Sequence, residues 1–436
     1  MKKININKLK YWAKDLYNLG FYHVLSVNML LKLFGFASQL FVAWWLTTEE
    51  IGQFGIMQSF LMYVVLLGGL GFNTSTLKLC SEKRNFDEKI LIHKKALQYS
   101  LFLSIASVII FLILNYFGLL VQNIKMRFPF AIFLLSAIPM VLNGIDTSYL
   151  QALKEFKKLA SINFYSRIFS LILIFILTYL YGLYGLIIAN VLGNIVTNVL
   201  QYRSILIINK KSNTETIIQG NKVDVYKLHI NYSLVSFFAN IVYMASAYFD
   251  LLIINYLAKD IPSEIGRYAF VLLIVSFFLM ISDSARQVLT PIFSENSDQY
   301  NSWIGVYDKY KKILIISYTI IAIVGFLVIP FLVGVVYGNK FGNIELLLSI
   351  LILSWLQNSM TAFLSSAIFG AGEIKVNLYN GIIILPVAIA LKYFMILKLD
   401  IMGAAISTLI VSFISVCVYY ISFKIVARRR FKMINI

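Results

Sequence analysis

Charge is what this chain has least of: Asp, Glu, Lys and Arg make up only 13% of its 436 residues, about half the ~25% of a soluble domain. A soluble protein of this length needs polar residues to cover its outside, so that class is excluded. The two cysteines, Cys80 at a helix end and Cys417 within an apolar run, provide no disulfide framework and no metal or redox motif. Three histidines, His23, His93 and His229, lie near expected helix ends without the spacing of metal ligands. No Gly-x4-Gly-Lys-Ser/Thr loop is present, so the chain lacks the phosphate cradle of an ATP-hydrolysing protein. Gly68-Gly69-Leu70-Gly71 lies inside an apolar segment, where close helix packing accounts for it. The basic start, MKKININKLKYWAKDLYNLG, is followed by no A-x-A-like site and by an apolar run too long for a signal peptide, so it reads as a cytoplasmic tail. These absences assign no cofactor, no metal and no enzymatic chemistry.

What is present is apolar length. Hydrophobic residues are 60% of the chain, and several runs reach the ~20 residues that cross a bilayer as a helix. The runs are too long for strands and show no period-two alternation. Inside lipid, helices satisfy every backbone group without closing a barrel. Twelve segments are expected, at 23–46, 52–79, 96–118, 127–151, 160–181, 184–208, 230–258, 265–290, 310–336, 343–369, 376–397 and 402–424. The fold class expected is an all-α polytopic membrane protein of twelve transmembrane helices.

Those helices fall into two similar halves. Glu50-Ile51-Gly52-Gln53-Phe54-Gly55 is echoed by Glu264-Ile265-Gly266-Arg267-Tyr268-Ala269, an offset of 214 (266 − 52). His93-Lys94-Lys95-Ala96 answers Tyr310-Lys311-Lys312-Ile313 at 217, and Glu155-Phe156-Lys157 answers Glu373-Ile374-Lys375 at 218. Gly185 answers Gly403, again at 218. An offset so nearly constant marks an internal repeat. Expected domains are a first lobe at 1–208 (helices 1–6), a linker at 209–229, a second lobe at 230–424 (helices 7–12) and a basic tail at 425–436. Six helices per lobe make the repeat parallel, with a pseudo-twofold axis along the membrane normal.

The net charge of +18 invites a nucleic-acid reading, but its distribution argues for topology. Of 38 Lys and Arg, 29 lie in or beside loops on one side of the expected membrane. The other side holds six, namely Lys125, Arg127, Lys259, Arg267, Lys340 and Lys398. By the positive-inside rule, both termini are cytoplasmic and no nucleic-acid partner is called for.

Lys32, Arg167 and Lys392 remain inside helices. A charge near mid-membrane costs at least ~2.5 kcal/mol on insertion scales and usually faces water, a partner or a substrate. Lys32 shares one helical face with Asn28, Gly35 and Gln39, while Asn240, Tyr243, Ala247 and Asp250 form the matching face of the seventh helix. Candidate substrate-binding residues are therefore Lys32, Arg167, Asn28, Gln39, Asn240 and Tyr243; coupling or gating candidates are Asp250 and Asp146. Two readings stand for Asp146 and Arg167, a functional one and simple mutual neutralisation. Asp250 reads as a lone carboxylate that either couples transport or keeps a cavity wet. Lys392 is close enough to its helix end to snorkel. Further polar stripes, Asn190-Asn194-Thr197-Gln201 and Ser354-Asn358-Thr361-Ser365, fit hydrogen bonds between helices.

Two six-helix repeats, with LTTEEIGQFG after the first helix and GLGFNTSTLKLCSEK closing the second, resemble the multidrug/oligosaccharidyl-lipid/polysaccharide exporter superfamily. The turn x-E-x-G-x-(F/Y), at Glu50–Phe54 and Glu264–Tyr268, is similar to that of its polysaccharide-exporting branch, including O-antigen flippases. The resemblance implies a flippase for undecaprenyl-pyrophosphate-linked oligosaccharide in the bacterial inner membrane, working beside a polysaccharide polymerase and other assembly proteins. It also implies a cationic cavity, to which Lys32 and Arg167 would contribute. An ion-coupled multidrug or cation antiporter of the same superfamily is the alternative, with Asp250 as its ion-binding carboxylate. A non-transporting scaffold is a third reading, which the polar stripes disfavour.

Reporter fusions test the topology. Fusions after Thr48, Tyr181 and Lys259 are expected to report outside, and those after Arg84, Lys211 and the C-terminus inside. An outside signal at Lys211 would overturn both the repeat and the orientation.

Overall fold

Apolar runs that cannot leave lipid without satisfying their own backbone fold as helices, and no strand occurs among the described residues. The computed structural model describes residues 34–82, 84–121, 123–211, 222–257, 262–297 and 299–431. In chain order the helices are α1 (34–45), α2 (Thr48–Gly69), α3 (Phe72–Ser81), α4 (Phe86–Tyr116), α5 (Ile124–Leu135) and α6 (Ala137–Ala152). They continue as α7 (Phe156–Lys211), α8 (Lys222–Leu257), α9 (Pro262–Glu295), α10 (Tyr300–Tyr337), α11 (Glu345–Gly370) and α12 (Ile374–Phe431). Among the described residues eight helical stretches are long and apolar enough to cross a membrane, and exposed apolar side chains such as Ile316, Ile320, Leu327 and Phe331 cover α10. The protein is an all-helical, multi-pass membrane protein.

Two helices are longer than one crossing can use. α7 has 56 residues and α12 has 58, or more than ~80 Å of rise against a ~30 Å hydrocarbon core. Each breaks at one residue, Gly182 (φ 56°, ψ −134°) and Asp400 (φ 48°, ψ −132°). These share one backbone conformation at an offset of 218 (400 − 182), the offset of the sequence repeat. Beyond each break the chain turns back on itself: a Cβ added at Gly185 would meet the Leu177 carbonyl, and one at Gly403 the Met395 carbonyl. Further along the second hairpin, Ser422 Oγ donates to Asn380 Oδ1 at 2.7 Å. With α7 and α12 each counted twice, α2 with α3 and α5 with α6 counted as single broken spans, the helices accommodate twelve crossings.

The repeat extends to single hydrogen bonds. α6 ends with Glu155 N–H donating to Leu150 O at 3.0 Å around Lys154 (φ 59°), and α11 ends with Glu373 N–H donating to Ile368 O at 3.2 Å around Gly372 (φ 82°). Both are left-handed caps of the Schellman type, one built on glycine and one on lysine. Residues 52–79, expected as one helix, are broken at Leu70 (φ 40°) and Gly71 (φ 75°). The break lets Gly71 approach the backbone of α8, where a Cβ would meet the Ser233 carbonyl. Gly68 has the packing role expected, its Cα facing Ser104 of α4, where a Cβ would lie 2.8 Å from Ser104 Cα.

Contacts divide the chain into two compact units, Met1–Leu46 with Met57–Ile241, and Thr47–Ile56 with Val242–Ile436. The first has an aliphatic core that includes Leu79, Cys80, Ile92, Leu150 and Ile205. The second is packed with aromatics: Phe270 stacks on Phe341 with centroids 3.7 Å apart, and Trp303 stacks on Phe423 at 4.7 Å. Within the second unit the two E-I-G turns meet. Thr47 and Glu50 form a capping box at the start of α2, Thr47 N–H donating to Glu50 Oε2 at 2.8 Å and Glu50 N–H to Thr47 Oγ1 at 3.2 Å. One turn on, a Cβ at Gly52 would lie 2.7 Å from Gly266 N, and a Cβ at Gly55 would lie 3.2 Å from Ala269 Cβ. Repeat-equivalent small residues thus face each other, and both glycines are there because two backbones touch. Glu264 has a different task from Glu50 and pairs with Arg267 at 3.0 Å.

Gly185→Ala and Gly403→Ala each drive a methyl group into a carbonyl oxygen and are expected to destabilise by ~1–3 kcal/mol. Asp400→Gly relieves a positive φ and is expected to raise the unfolding temperature. Thermal unfolding of the purified chain in detergent measures all three.

Candidate functional site

Charges that cannot be hydrated inside a span must find partners within the protein, and the described residues contain two such pairs. In the second unit, Asp250 on α8 is 5% exposed and receives three groups. Lys392 Nζ lies 2.6 Å from Oδ1. Tyr268 O–H donates to Oδ2 at 2.9 Å, and Thr408 Oγ1 lies 3.2 Å from the same oxygen. Four helical segments therefore converge on one carboxylate: α8, α9 and the two arms of α12. The α12 break at Asp400 brings Lys392 and Thr408 face to face, because it reverses the chain between them.

This corrects two expectations. Asp250 is not a lone carboxylate, and Lys392 does not snorkel, since it is 3% exposed and ion-paired. Sequence reasoning missed the pairing because the partners are 142 residues apart (392 − 250) and no local spacing connects them. A signal was available: Lys392 sits between the buried positions Ala388 and Ile396, four residues either way, on the inner stripe of its helix.

In the first unit, Asp146 on α6 is 1% exposed and has His93 Nε2 of α4 at 2.7 Å from its Oδ1. The imidazole lies flat against Tyr149, with centroids 4.2 Å apart and planes at 15°. The partner of Asp146 is thus His93, and the mutual neutralisation of Asp146 and Arg167 does not occur. The spacing of His93 places it near an expected helix end and gives it no partner. Its stripe on α4, with Ala96, Ser100 and Ser104 all buried, marks it as inward-facing.

Arg167, half-buried on α7, pairs with no carboxylate among the described residues. Its guanidinium lies against Gly35 of α1, where a Cβ would collide with Nη2. Gln39 on α1 is exposed and Asn240 on α8 is half-buried. Lys32 and Asn28 lie outside the described residues, as does the side chain of Tyr243. The polar stripes join helices: Asn143 Nδ2 donates to Asn194 O at 3.1 Å, Gln201 Nε2 to Thr147 Oγ1 at 3.0 Å, and Asn377 Nδ2 to Ser365 O at 3.3 Å. Among the described residues no three His, Cys, Asp or Glu side chains are grouped as metal ligands would be. Among the described residues the buried carboxylates Asp146 and Asp250 each have a basic partner, and the half-buried Arg167 guanidinium pairs with no carboxylate.

Lys392→Met strands the Asp250 carboxylate and is expected to lower stability by ~3–5 kcal/mol. Lys392→Met with Asp250→Leu removes both charges and is expected to recover most of that loss. A double-mutant cycle of thermal unfolding measures the coupling.

A family model described as polysaccharide biosynthesis protein matches residues 20–297. No curated protein matches the chain in sequence. Among solved structures, the chain is similar to an inward-facing multidrug resistance MATE family transporter of the MOP superfamily, at 16% identity and a TM-score of 0.72 over 94% of this chain and 99% of that one. It is similar to a MOP superfamily transporter from Pyrococcus furiosus Vc1 described by the reverse polarity of its binding pocket, at 15% identity and a TM-score of 0.62 over 92% and 93% of the two chains. It is also similar to a variant of the Vibrio cholerae MATE transporter VcmN, at 14% identity and a TM-score of 0.64 over 97% and 99%. At these identities the likeness establishes the fold. The family match covers more than half of the chain, and the chain belongs to the polysaccharide biosynthesis protein family, built on the fold of the MATE transporters of the MOP superfamily.

Proposed function

We propose that the protein is a flippase that moves undecaprenyl-pyrophosphate-linked oligosaccharide, an O-antigen or similar surface-polysaccharide repeat unit, across the bacterial inner membrane. The observation that carries this reading is the coincidence of a polysaccharide-biosynthesis family match with a transporter fold. Membership alone leaves the step open, and the likeness to transporters supports translocation as that step. In this reading the lobes at 1–208 and 230–424 rock alternately inward and outward, both termini staying in the cytoplasm. The glycan and pyrophosphate occupy the cavity while the prenyl tail stays in lipid. Arg167, without a carboxylate partner among the described residues, and Lys32 supply counter-charge to the pyrophosphate. A guanidinium suits this task because its fork of donors matches phosphate oxygens. Gln39, Asn28, Asn240 and Tyr243 are assigned to sugar hydroxyls. A polysaccharide polymerase and other assembly proteins are the partners this reading expects.

A second reading, ion-coupled antiport of drugs or other cations, is favoured by the MATE likeness. It would use Asp250 as the ion-binding carboxylate. The ammonium of Lys392 at 2.6 Å already serves as the cation of that carboxylate, which weighs against it. In the flippase reading Asp250 and Asp146 are gating or coupling groups.

Glycan export in cells tests the proposal: Lys32→Ala is expected to lose export while still inserting, and Lys32→Arg to retain more. Normal export by Lys32→Ala would pass the phosphate role to Arg167. In proteoliposomes, Asp250→Asn is expected to slow flipping of the lipid-linked glycan without altering efflux of cationic compounds. Loss of ion-driven cation efflux in that variant would favour the antiporter.

A further inference from the structure

The second unit is closed at one end by aromatic rings, and the flippase reading uses none of them. Phe423, near the end of α12, lies against both Trp303 and Tyr307 of α10, with ring centroids 4.7 and 4.4 Å away. Trp303 Nε1 donates to the Ala367 carbonyl of α11 at 3.3 Å, and Tyr307 stacks on Phe363 of the same helix at 5.4 Å. Trp303, Tyr307, Phe363 and Phe423 are all buried. The start of α10 is thereby fixed beside the last turns of α12. In the proposed topology this is the cytoplasmic end.

Two ammonium groups lie over rings at the edge of that cluster. Lys311 Nζ is 5.5 Å from the centroid of Tyr307, and Lys424 Nζ is 4.6 Å from that of Tyr420. Tyr420 is one turn before Phe423, so both lysines border the same aromatic contact. Among the described residues neither lysine takes part in an ion pair. α12 has no carboxylate after Asp400, and the one carboxylate of α10, Asp308, is exposed. A ring face holds an ammonium in place without neutralising it, so two positioned positive charges stay open to an anion.

Below each lysine the helix surface is apolar and faces outward. Lys424, Tyr420, Cys417 and Phe413 are separated by four, three and four residues, which is one face of α12, and all four are exposed. Lys311, Ile315, Ala322 and Phe326 follow one face of α10, with Ile315 and Phe326 exposed. From Lys424 to Phe413 the stripe covers 11 residues (424 − 413), or ~16 Å of helical rise, about half of a ~30 Å hydrocarbon core. Charge at the head of the stripe and one leaflet's depth of apolar surface beneath it match a phosphate with a hydrocarbon chain. We infer that this end of α10 and α12 binds an anionic phospholipid of the adjoining leaflet, its phosphate held by Lys311 and Lys424 and an acyl chain laid over Cys417 and Phe413. The exposed Tyr420 hydroxyl is a donor for the same phosphate. A zwitterionic head group carries its own cation and leaves the two ammoniums uncompensated, so the site selects lipid by net charge.

Cys417 lies on the stripe and is exposed, whereas Cys80 is buried, so a fluorescent thiol probe reports from the site itself. The labelled full chain is placed in bilayers of phosphatidylcholine and phosphatidylglycerol in which one lipid or the other carries brominated chains, at one fixed brominated fraction. Brominated phosphatidylglycerol is expected to quench the probe ~2-fold or more strongly than brominated phosphatidylcholine. Lys311→Gln with Lys424→Gln is expected to bring the two to equality. Lys94→Gln with Lys157→Gln removes two exposed lysines of the first unit, lowers the net charge equally and is expected to leave the preference intact. Equal quenching by both lipids in the native chain would overturn the inference. So would a preference that survives in the Lys311 and Lys424 variant, or one that is lost in the Lys94 and Lys157 variant. The measurement needs neither glycan nor carrier lipid, so its failure leaves the flippase reading standing.

Discussion

A carboxylate placed inside a lipid-spanning helix bundle cannot stand alone, and the rest of the second unit is arranged around that constraint. Asp250 draws Lys392, Tyr268 and Thr408 from three other helical segments to itself. The pair stabilises the bundle less by its net energy than by what its disruption would leave behind, since either charge left unpaired is far costlier than the pair. It thereby dictates where α8 and α9 sit against the α12 hairpin. The hairpin must close at Asp400, because an unbroken helix would carry Thr408 more than 20 Å from Lys392 at ~1.5 Å per residue.

The internal repeat holds the scaffold constant while letting the charges diverge. Breaks, caps and glycine approaches recur at an offset of 218, down to Glu155 and Glu373 donating to equivalent carbonyls. The ion pairs do not recur. The positions answering His93 and Asp146 are Tyr310 and Leu364, and those answering Asp250 and Lys392 are Phe36 and Ile174. Backbone geometry is set by requirements that both halves share, namely satisfied hydrogen bonds in lipid and close helix approach. Among the described residues a buried ion pair occurs once per unit and in a different place each time. In the second unit the partner of the buried carboxylate is a lysine, and in the first it is a histidine.

Close approach is the second recurring device. Gly52 against Gly266, Gly68 against Ser104, Gly71 against Ser233 and Gly35 beneath Arg167 all sit where a methyl group would collide. Between helices in lipid the hydrophobic effect gives little drive, so tight van der Waals contact through small residues takes its place. At Gly35 the same device serves a charge: it lets a guanidinium lie against α1.

Apolar run length determined the all-helical, multi-pass class, and the 214–218 offset marked a repeat that recurs in the helix breaks and caps. They did so because lipid permits few backbone structures and because each run is a local property of the chain. Helix breaks were legible at Gly182 and Asp400 as gaps between runs, and less so at Gly71, which sits within one. The polar candidates were legible as stripes, since a 3.6-residue period is also local. Their partners were not. Asp146 with His93 and Asp250 with Lys392 span 53 and 142 residues and join different helices, and nothing in the spacing of one helix specifies which face of another it meets. Only the packed structure decided that, because pairing inside a membrane is settled by which buried charges the fold brings within hydrogen-bond reach.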